Sequence, residues 1–191
     1  MRVVGGTARG RRLVAPVGRD VRPTSDRVRE AVFNALGSMG AVEGARVLDL
    51  FAGTGALGIE ALSRGAHACT FVERDPRARE ALARNLAVTG LDRRAEVVGA
   101  EAEAWLTGPA ATAVAEEVLV PDLVLLDPPY AYDRWAVLLA GVASVAPGAT
   151  VVIESDRTVG LPEEWDALRE KRYGGTLVVI ARPPSPPPEQ R

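Results

Sequence analysis

From residue 46 to residue 153 the chain alternates between short runs of mostly apolar residues and longer stretches whose apolar residues recur every three or four. The short runs are RVLDL (46–50), ACTFVE (68–73), AEVV (95–98), DLVLL (122–126) and ATVVI (149–153). Such runs suit strands of a buried parallel sheet. The intervening stretches predict helices near 56–64, 76–88, 101–106 and 133–145. Asp75 and Pro76 supply an N-cap and a first-turn proline for the second of these, and Gly90 ends it. Strand and helix in alternation predict an α/β fold with right-handed crossovers and helices on both faces of the sheet. In such sheets ligands sit at the carboxyl ends of the strands, near the switch point of the strand order.

Outside that core the pattern changes. Residues 2–4 and 11–15 are short β-prone runs around GGTARG and predict an N-terminal hairpin, with residues 1–22 as a small extension. VRPTSDRVREAVFNALG predicts a helix capped by Thr24 or Ser25, with Val28, Ala31, Val32, Ala35 and Leu36 on one face and Gly37 as its stop. EWDALREKRYGG and TLVVIA read as two more strands around Gly174-Gly175, closing a domain that spans 23–182. GPAATAVAEEVL lies in a lengthened link before the fourth core strand and suggests a loop with some helix. Residues 183–191, PPSPPPEQR, have nothing apolar to bury and read as a disordered tail.

Composition narrows the chemistry. The 191 residues suffice for one core. No apolar run approaches the ~20 residues of a membrane span, and the N-terminus has no secretory pattern. One cysteine, Cys69, allows no internal disulfide and fits a reducing cytoplasm. With one His, His67, beside it, a Cys/His zinc site lacks ligands, so no metal is expected. The net charge is −2, but residues 1–30 hold eight arginines against three acids, about +5, which leaves about −7 for the rest. A basic end on an acidic body suggests a phosphate-facing surface that includes Arg9, Arg11, Arg12 and Arg22. The chain has a single lysine, Lys171, so the arginines also fit a bias in the coding sequence.

The candidate chemistry lies just after the strands. VLDLFAGTGALGIE places Gly53, Gly55 and Gly58 in a G-x-G-x-x-G turn between strand and helix, with Glu73 twenty residues beyond Gly53 to bind a ribose. That much fits a nicotinamide cofactor equally well. Asp49 tips the balance, because a carboxylate there repels a pyrophosphate and attracts the ammonium and sulfonium of S-adenosylmethionine. Asp49, Phe51, Ala52, Gly53, Thr54, Gly55 and Glu73 are therefore candidate cofactor residues, with Glu101 or its neighbour near the adenine amine and Ala102 beside the ring. The fourth run ends in Asp127-Pro128-Pro129-Tyr130, where two prolines without N–H groups stop the strand. Asp127 and the Pro128 carbonyl offer rigid acceptors to an exocyclic amine, and Tyr130 offers a face on which a flipped-out base can stack.

With RVVGGTARGRRL, VRPTSDRVREAVFNAL, LDLFAGTGALGIEALSRGA and LLDPPY in view, the chain resembles the class I S-adenosylmethionine-dependent methyltransferases. Within them it resembles the small-subunit ribosomal RNA methyltransferase D family over residues 1–182. The resemblance implies a three-layer Rossmann-like sheet of seven strands, the last antiparallel, with the N-terminal hairpin helping to bind RNA. It implies methyl transfer to N2 of a guanine in 16S rRNA, within the 30S subunit or its assembly intermediate. Cofactor contacts at Asp49, Gly53, Gly55 and Glu73 and base handling at Asp127 to Tyr130 follow from it. Glu101 departs from the Asp or Asn usual there. The rivals are an adenine-N6 methyltransferase on DNA or RNA, a nicotinamide-dependent oxidoreductase, and a non-catalytic RNA-binding module. A monomer is expected.

Overall fold

In the computed structural model, residues 1–15, 26–110, 112 and 121–185 are described. Arg22, the proposed caps Thr24 and Ser25, and tail residues 186–191 lie outside them. The chain runs through α1 (Asp26–Ser38), β1 (Arg46–Leu50), α2 (Ala56–Ser63), β2 (Ala68–Val72) and α3 (Pro76–Thr89). It continues through β3 (Ala95–Val98), α4 (Ala102–Thr107), β4 (Leu123–Leu126), α5 (Trp135–Val145), β5 (Thr150–Ser155), β6 (Asp166–Tyr173) and β7 (Thr176–Arg182).

Seven strands form one sheet in the order β3-β2-β1-β4-β5-β7-β6. The first five are parallel, and β7 inserts antiparallel between β5 and β6. The order reverses between β1 and β4, which pair from Val47 with Leu123 to Leu50 with Leu126. This is the switch point, and the loops after both strands open at the same edge.

The pleat divides the strands between two cores. Val47, Leu123, Leu125 and Val152 face Phe33, Leu36, Ile59, Leu62 and Leu82 from α1, α2 and α3. Leu48, Leu50, Val124, Leu126 and Ile153 face Trp105, Leu106, Leu138 and Val142 from α4 and α5. Asp49 interrupts the first set, so its carboxyl points toward α2.

One expectation changes. Helix α1 passes through Gly37 to Ser38, and the left-handed turn falls at Gly40, with Ala41 N–H bonded to the Leu36 carbonyl. The N-terminal segment folds back on itself through one antiparallel bridge, Arg2 with Arg12, with Val3 N–H bonded to the Arg11 carbonyl at 3.0 Å, Gly10 N–H to the Val3 carbonyl at 2.9 Å and Leu13 N–H to the Met1 carbonyl at 3.1 Å. Other polar groups of the segment bond to the end of α2. Thr7 N–H donates to the Ser63 carbonyl at 2.8 Å and Ala8 N–H to Ser63 Oγ at 2.9 Å. A Cβ on Gly6, at φ 72°, would stand 1.8 Å from the Ser63 oxygen, so only glycine permits this approach. Val3, Ala8 and Leu13 are buried in the same core as α1 to α3, so the extension is built into the domain.

Arg29, counted among the basic-end arginines, is fully buried. Its guanidinium reaches Asp26 at 2.9 Å and Glu60 at 3.6 Å, and it also donates to the Arg2 carbonyl. Glu60, equally buried, takes Arg64 at 2.7 Å and the Val4 N–H at 2.8 Å. Removing one partner from a buried pair leaves an uncompensated charge. Glu60→Ala is expected to lower stability by about 3–5 kcal/mol in urea unfolding, and a loss below about 1 kcal/mol would mean the network is dispensable.

Candidate active site at the strand tips

The turn after β1 begins with Phe51, at φ 63° the only described non-glycine residue in the left-handed region. Gly53, at φ 56°, donates its N–H to Glu73 at 2.8 Å, while the other Glu73 oxygen accepts from Asp75 N–H at 2.7 Å. Those bonds lock the acid at the tip of β2 to the glycine turn at the tip of β1. A carboxylate has about four lone-pair sites, so capacity remains for hydroxyl donors. Gly55, at φ 79°, caps α2. A Cβ there would meet Leu82 at 2.2 Å, and one on Gly58 would meet Phe71 at 2.3 Å, so both glycines also serve close packing.

Asp49 is 2% exposed and accepts the Gly58 N–H at 2.9 Å. Burial pushes its carboxyl up to about 8. The Gly58 bond opposes that rise, and the charges of Asp127 and Glu73 add to it. Three acids from the ends of β1, β2 and β4 thus share one field. The first turn of α2, where a dinucleotide fold would seat a pyrophosphate, already has one N–H committed to an acidic side chain.

After β4, Asp127 is half-buried, Pro128 buried, and Pro129 and Tyr130 exposed. Tyr132 N–H donates to the Pro129 carbonyl at 2.8 Å and closes a turn. Tyr132, which the sequence reading passed over, ties the strand tips together. Its ring meets Phe51 edge-on at 5.2 Å and Trp135 at 5.3 Å. Its hydroxyl donates to Glu103 of α4 at 2.7 Å. Burial, then that bond, hold the phenol above its ordinary pKa, so it remains a donor. Nothing in the one-dimensional pattern separates Tyr132 from Tyr130, because its partners lie on three other elements.

The adenine candidates follow the tip of β3. Glu101 is exposed and pairs with Arg74 at 2.7 Å, while Ala102 is buried in the α4–α5 core. Arg79 is another residue the sequence did not signal. It donates to the carbonyls of Glu73 and Arg74 at 3.0 and 2.7 Å, holding the end of β2 from α3. Ala52 and Thr54 are buried in the turn. Arg9, Arg11 and Arg12 are exposed and lie between two anchors, Ser63 at the far end of α2 and Asn85 on α3. Asn85 accepts the Val14 N–H and donates to the carbonyls of Val14 and Thr54, joining the arginine segment to the glycine turn. No group of three or more metal-ligating side chains occurs among the described residues, and no described helix is long and apolar enough to cross a membrane.

A sheet with this order and an inserted antiparallel seventh strand, carrying a glycine turn and an acid at adjacent tips, has the class I methyltransferase fold. The chain belongs to the family described as conserved hypothetical protein 95, whose pattern matches residues 1–182. It is 40% identical over 186 residues to a putative rRNA methyltransferase, YlbH, of Bacillus subtilis, covering 94% of this chain and 97% of that one. It is 37% identical over 180 residues to ribosomal RNA small subunit methyltransferase D of Escherichia coli, covering 91% and 85%. Among solved structures it superposes on a putative methyltransferase, yhhF, of Escherichia coli with a TM-score of 0.82 and 32% identity, over 97% and 99% of the two chains.

Asp49 gives a prediction for stability. Between the usual 3.8 and about 8, the folded protein keeps a proton that the unfolded chain has released. The stability present below pH 3.8 is therefore lost as pH rises through about 8, by at most about 1.4 kcal/mol per pH unit from this group. Asn at this position keeps an acceptor for Gly58 and carries no charge. Asp49→Asn is expected to be more stable than the parent at pH 8, with the gap closing toward pH 4, as measured by urea unfolding across pH. A gap independent of pH would show that Asp49 is not the titrating group.

Proposed function

We propose that the chain transfers the methyl group of S-adenosylmethionine to the exocyclic N2 amine of a guanine in 16S rRNA, within the 30S subunit or its assembly intermediate. On this reading it works in the cytoplasm as a monomer and without a metal. The relatives' names support rRNA methylation. The observation that carries the chemistry is the Asp127–Tyr130 loop beside Asp49 and Glu73 at the β1/β4 switch point.

The residues present fit the cofactor. An acid at Asp49 whose ionisation Asp127 and Glu73 oppose until a positive charge arrives, and a helix start with an N–H already committed, disfavour a pyrophosphate and favour a cation. A Cβ on Gly53 would meet nothing nearer than 3.9 Å, so its open face admits close approach by a ligand. The bound cofactor supplies an electrophilic methyl on a sulfonium. Glu73 would take the ribose hydroxyls, and Asp49, ionised by the arriving positive charge, would hold the ammonium end. Thr54, Ala52 and Phe51 form the wall of the turn, with Glu101 and Ala102 toward the adenine.

The base amine is a poor nucleophile because its lone pair is delocalised into the ring. Asp127 and the Pro128 carbonyl would accept its two hydrogens and draw the nitrogen toward tetrahedral geometry. The lone pair so freed would face the methyl that the bound cofactor supplies, with Asp127 and the Pro128 carbonyl holding the amine in that orientation. The surplus proton passes to water or Asp127. Tyr130, 42% exposed, would stack on the base, while Arg9, Arg11, Arg12 and Arg22 would take phosphates.

The deciding experiment is labelled-methyl transfer onto 30S particles lacking the modification, followed by nucleoside mapping. N2-methylguanosine is expected. N6-methyladenosine, or no transfer, would overturn the reading. Asp127→Ala is expected to cut turnover ~10²-fold or more with S-adenosylhomocysteine affinity unchanged, and full turnover would reduce the loop to a structural role. Replacing Arg9, Arg11 and Arg12 with Ala should weaken RNA binding and shallow its salt dependence. An unaltered slope would place the RNA on another face.

A further inference from the structure

Tyr130 poses a problem. Its ring is 42% exposed, and no aromatic neighbour holds it among the described residues. An exposed ring must take its direction from its own backbone, and two prolines constrain that backbone only on the N-terminal side. On the other side, besides the Tyr132 contacts, stands Arg157, in the turn after β5. Its Nη1 donates to the Tyr130 carbonyl at 2.6 Å and its Nη2 to the Tyr132 carbonyl at 2.5 Å. One guanidinium therefore spans the whole Tyr130–Tyr132 turn.

The arginine is itself held. Ser155 Oγ donates to the Arg157 carbonyl. Its Nη1 also lies 3.2 Å from Asp156 Oδ1, and Arg172 donates to the Asp156 carbonyl at 3.3 Å. The chain of contacts thus runs from β5 and β6 into the loop after β4. A planar fork with two fixed N–H vectors can hold two carbonyls at once, which an ammonium on a flexible stem cannot do as rigidly.

We infer that Arg157 is a positioning residue for methyl transfer, which fixes the Asp127–Tyr130 loop by clamping the carbonyls of Tyr130 and Tyr132. The inference rests on the methyltransferase reading of that loop. Arg157 touches neither cofactor nor reacting atoms in this role, so its effect falls on turnover and not on cofactor binding. Displacing a positioned group by about 1 Å costs about 10²-fold in rate.

Arg157→Ala is expected to lower kcat on 30S particles about 10- to 100-fold, with S-adenosylhomocysteine affinity within about twofold of the parent. Arg157→Lys should fall between the two. Free guanidinium, at concentrations that leave the fold intact, should restore part of the lost turnover to Arg157→Ala and none to Asp127→Ala. Unchanged kcat, or a loss accompanied by equal loss of cofactor affinity and without rescue, would overturn the assignment. Amide hydrogen exchange across residues 130–134 keeps the test independent of the substrate. Faster exchange in Arg157→Ala supports the clamp even where the parent itself transfers no methyl to 30S, an outcome that refutes the functional reading alone. Unchanged exchange overturns the clamp.

Discussion

Four paired positions between β1 and β4, from Val47 with Leu123 to Leu50 with Leu126, govern everything at the site. Because side chains alternate across a strand, a slip of one residue in β1 would carry Asp49 to the α4–α5 face and Leu50 to the α2 face. The carboxyl would then lose Gly58, and Leu48 and Leu50 would leave the core they fill. Apolar burial on both faces thus sets the register. The register in turn puts the glycine turn and the Asp127 loop on neighbouring strand tips. Crossover topology supplies the adjacency, since only at the reversal of strand order do two such loops open beside each other.

That placement works against local stability. Asp49 is an acid in an apolar setting with one N–H to satisfy it, beside two other acids. Phe51 holds a left-handed backbone, which for a non-glycine residue costs about 1–3 kcal/mol. Both lie within three residues at the end of β1, beside the tip of β4. The opposing contributions come from elsewhere. The strands below are buried on both sides, and Glu73 and Tyr132 bind the tips laterally through Gly53, Phe51 and Glu103. Strain at the tips is tolerable because the strands beneath cannot shift.

Much of this was legible in one dimension. The apolar runs located the core strands to within a residue or two, since β1, β2, β4 and β5, buried on both faces, leave few polar positions to confuse the pattern. The glycine turn, Glu73 and the Asp127 loop were readable because each follows its strand directly. Tyr132, Glu103, Arg79 and Arg157 were not. Each works by contact with a different element, and a lone arginine after a strand looks the same whether it clamps a loop or faces water. Arg29 failed in the opposite sense. It sits in a basic run, yet the packing of α1 on α2 buries it against Glu60, so charge counted along the chain overstated the charge on the surface. Gly37 misled for a similar reason, because packing of Leu36 and Phe33 carried the helix past it.

The N-terminal segment joins these threads. Its arginines look like an appendage in the sequence, but the segment is fastened to α2 and to α3. Ser63 holds Gly5 to Ala8 at the C-terminus of α2, and Asn85 holds Val14 on α3. The Asn85 amide also donates to the Thr54 carbonyl inside the glycine turn. One side chain therefore satisfies backbone groups of both the basic segment and the turn, with Asn85 only 1% exposed. A buried amide in that position cannot release one partner without leaving another polar group unpaired, which costs about 1–3 kcal/mol. The basic segment and the glycine turn are thus fixed relative to each other by the same chemistry that satisfies a buried polar group. The segment that carries the exposed Arg9, Arg11 and Arg12 is held in register with the glycine turn through this one side chain.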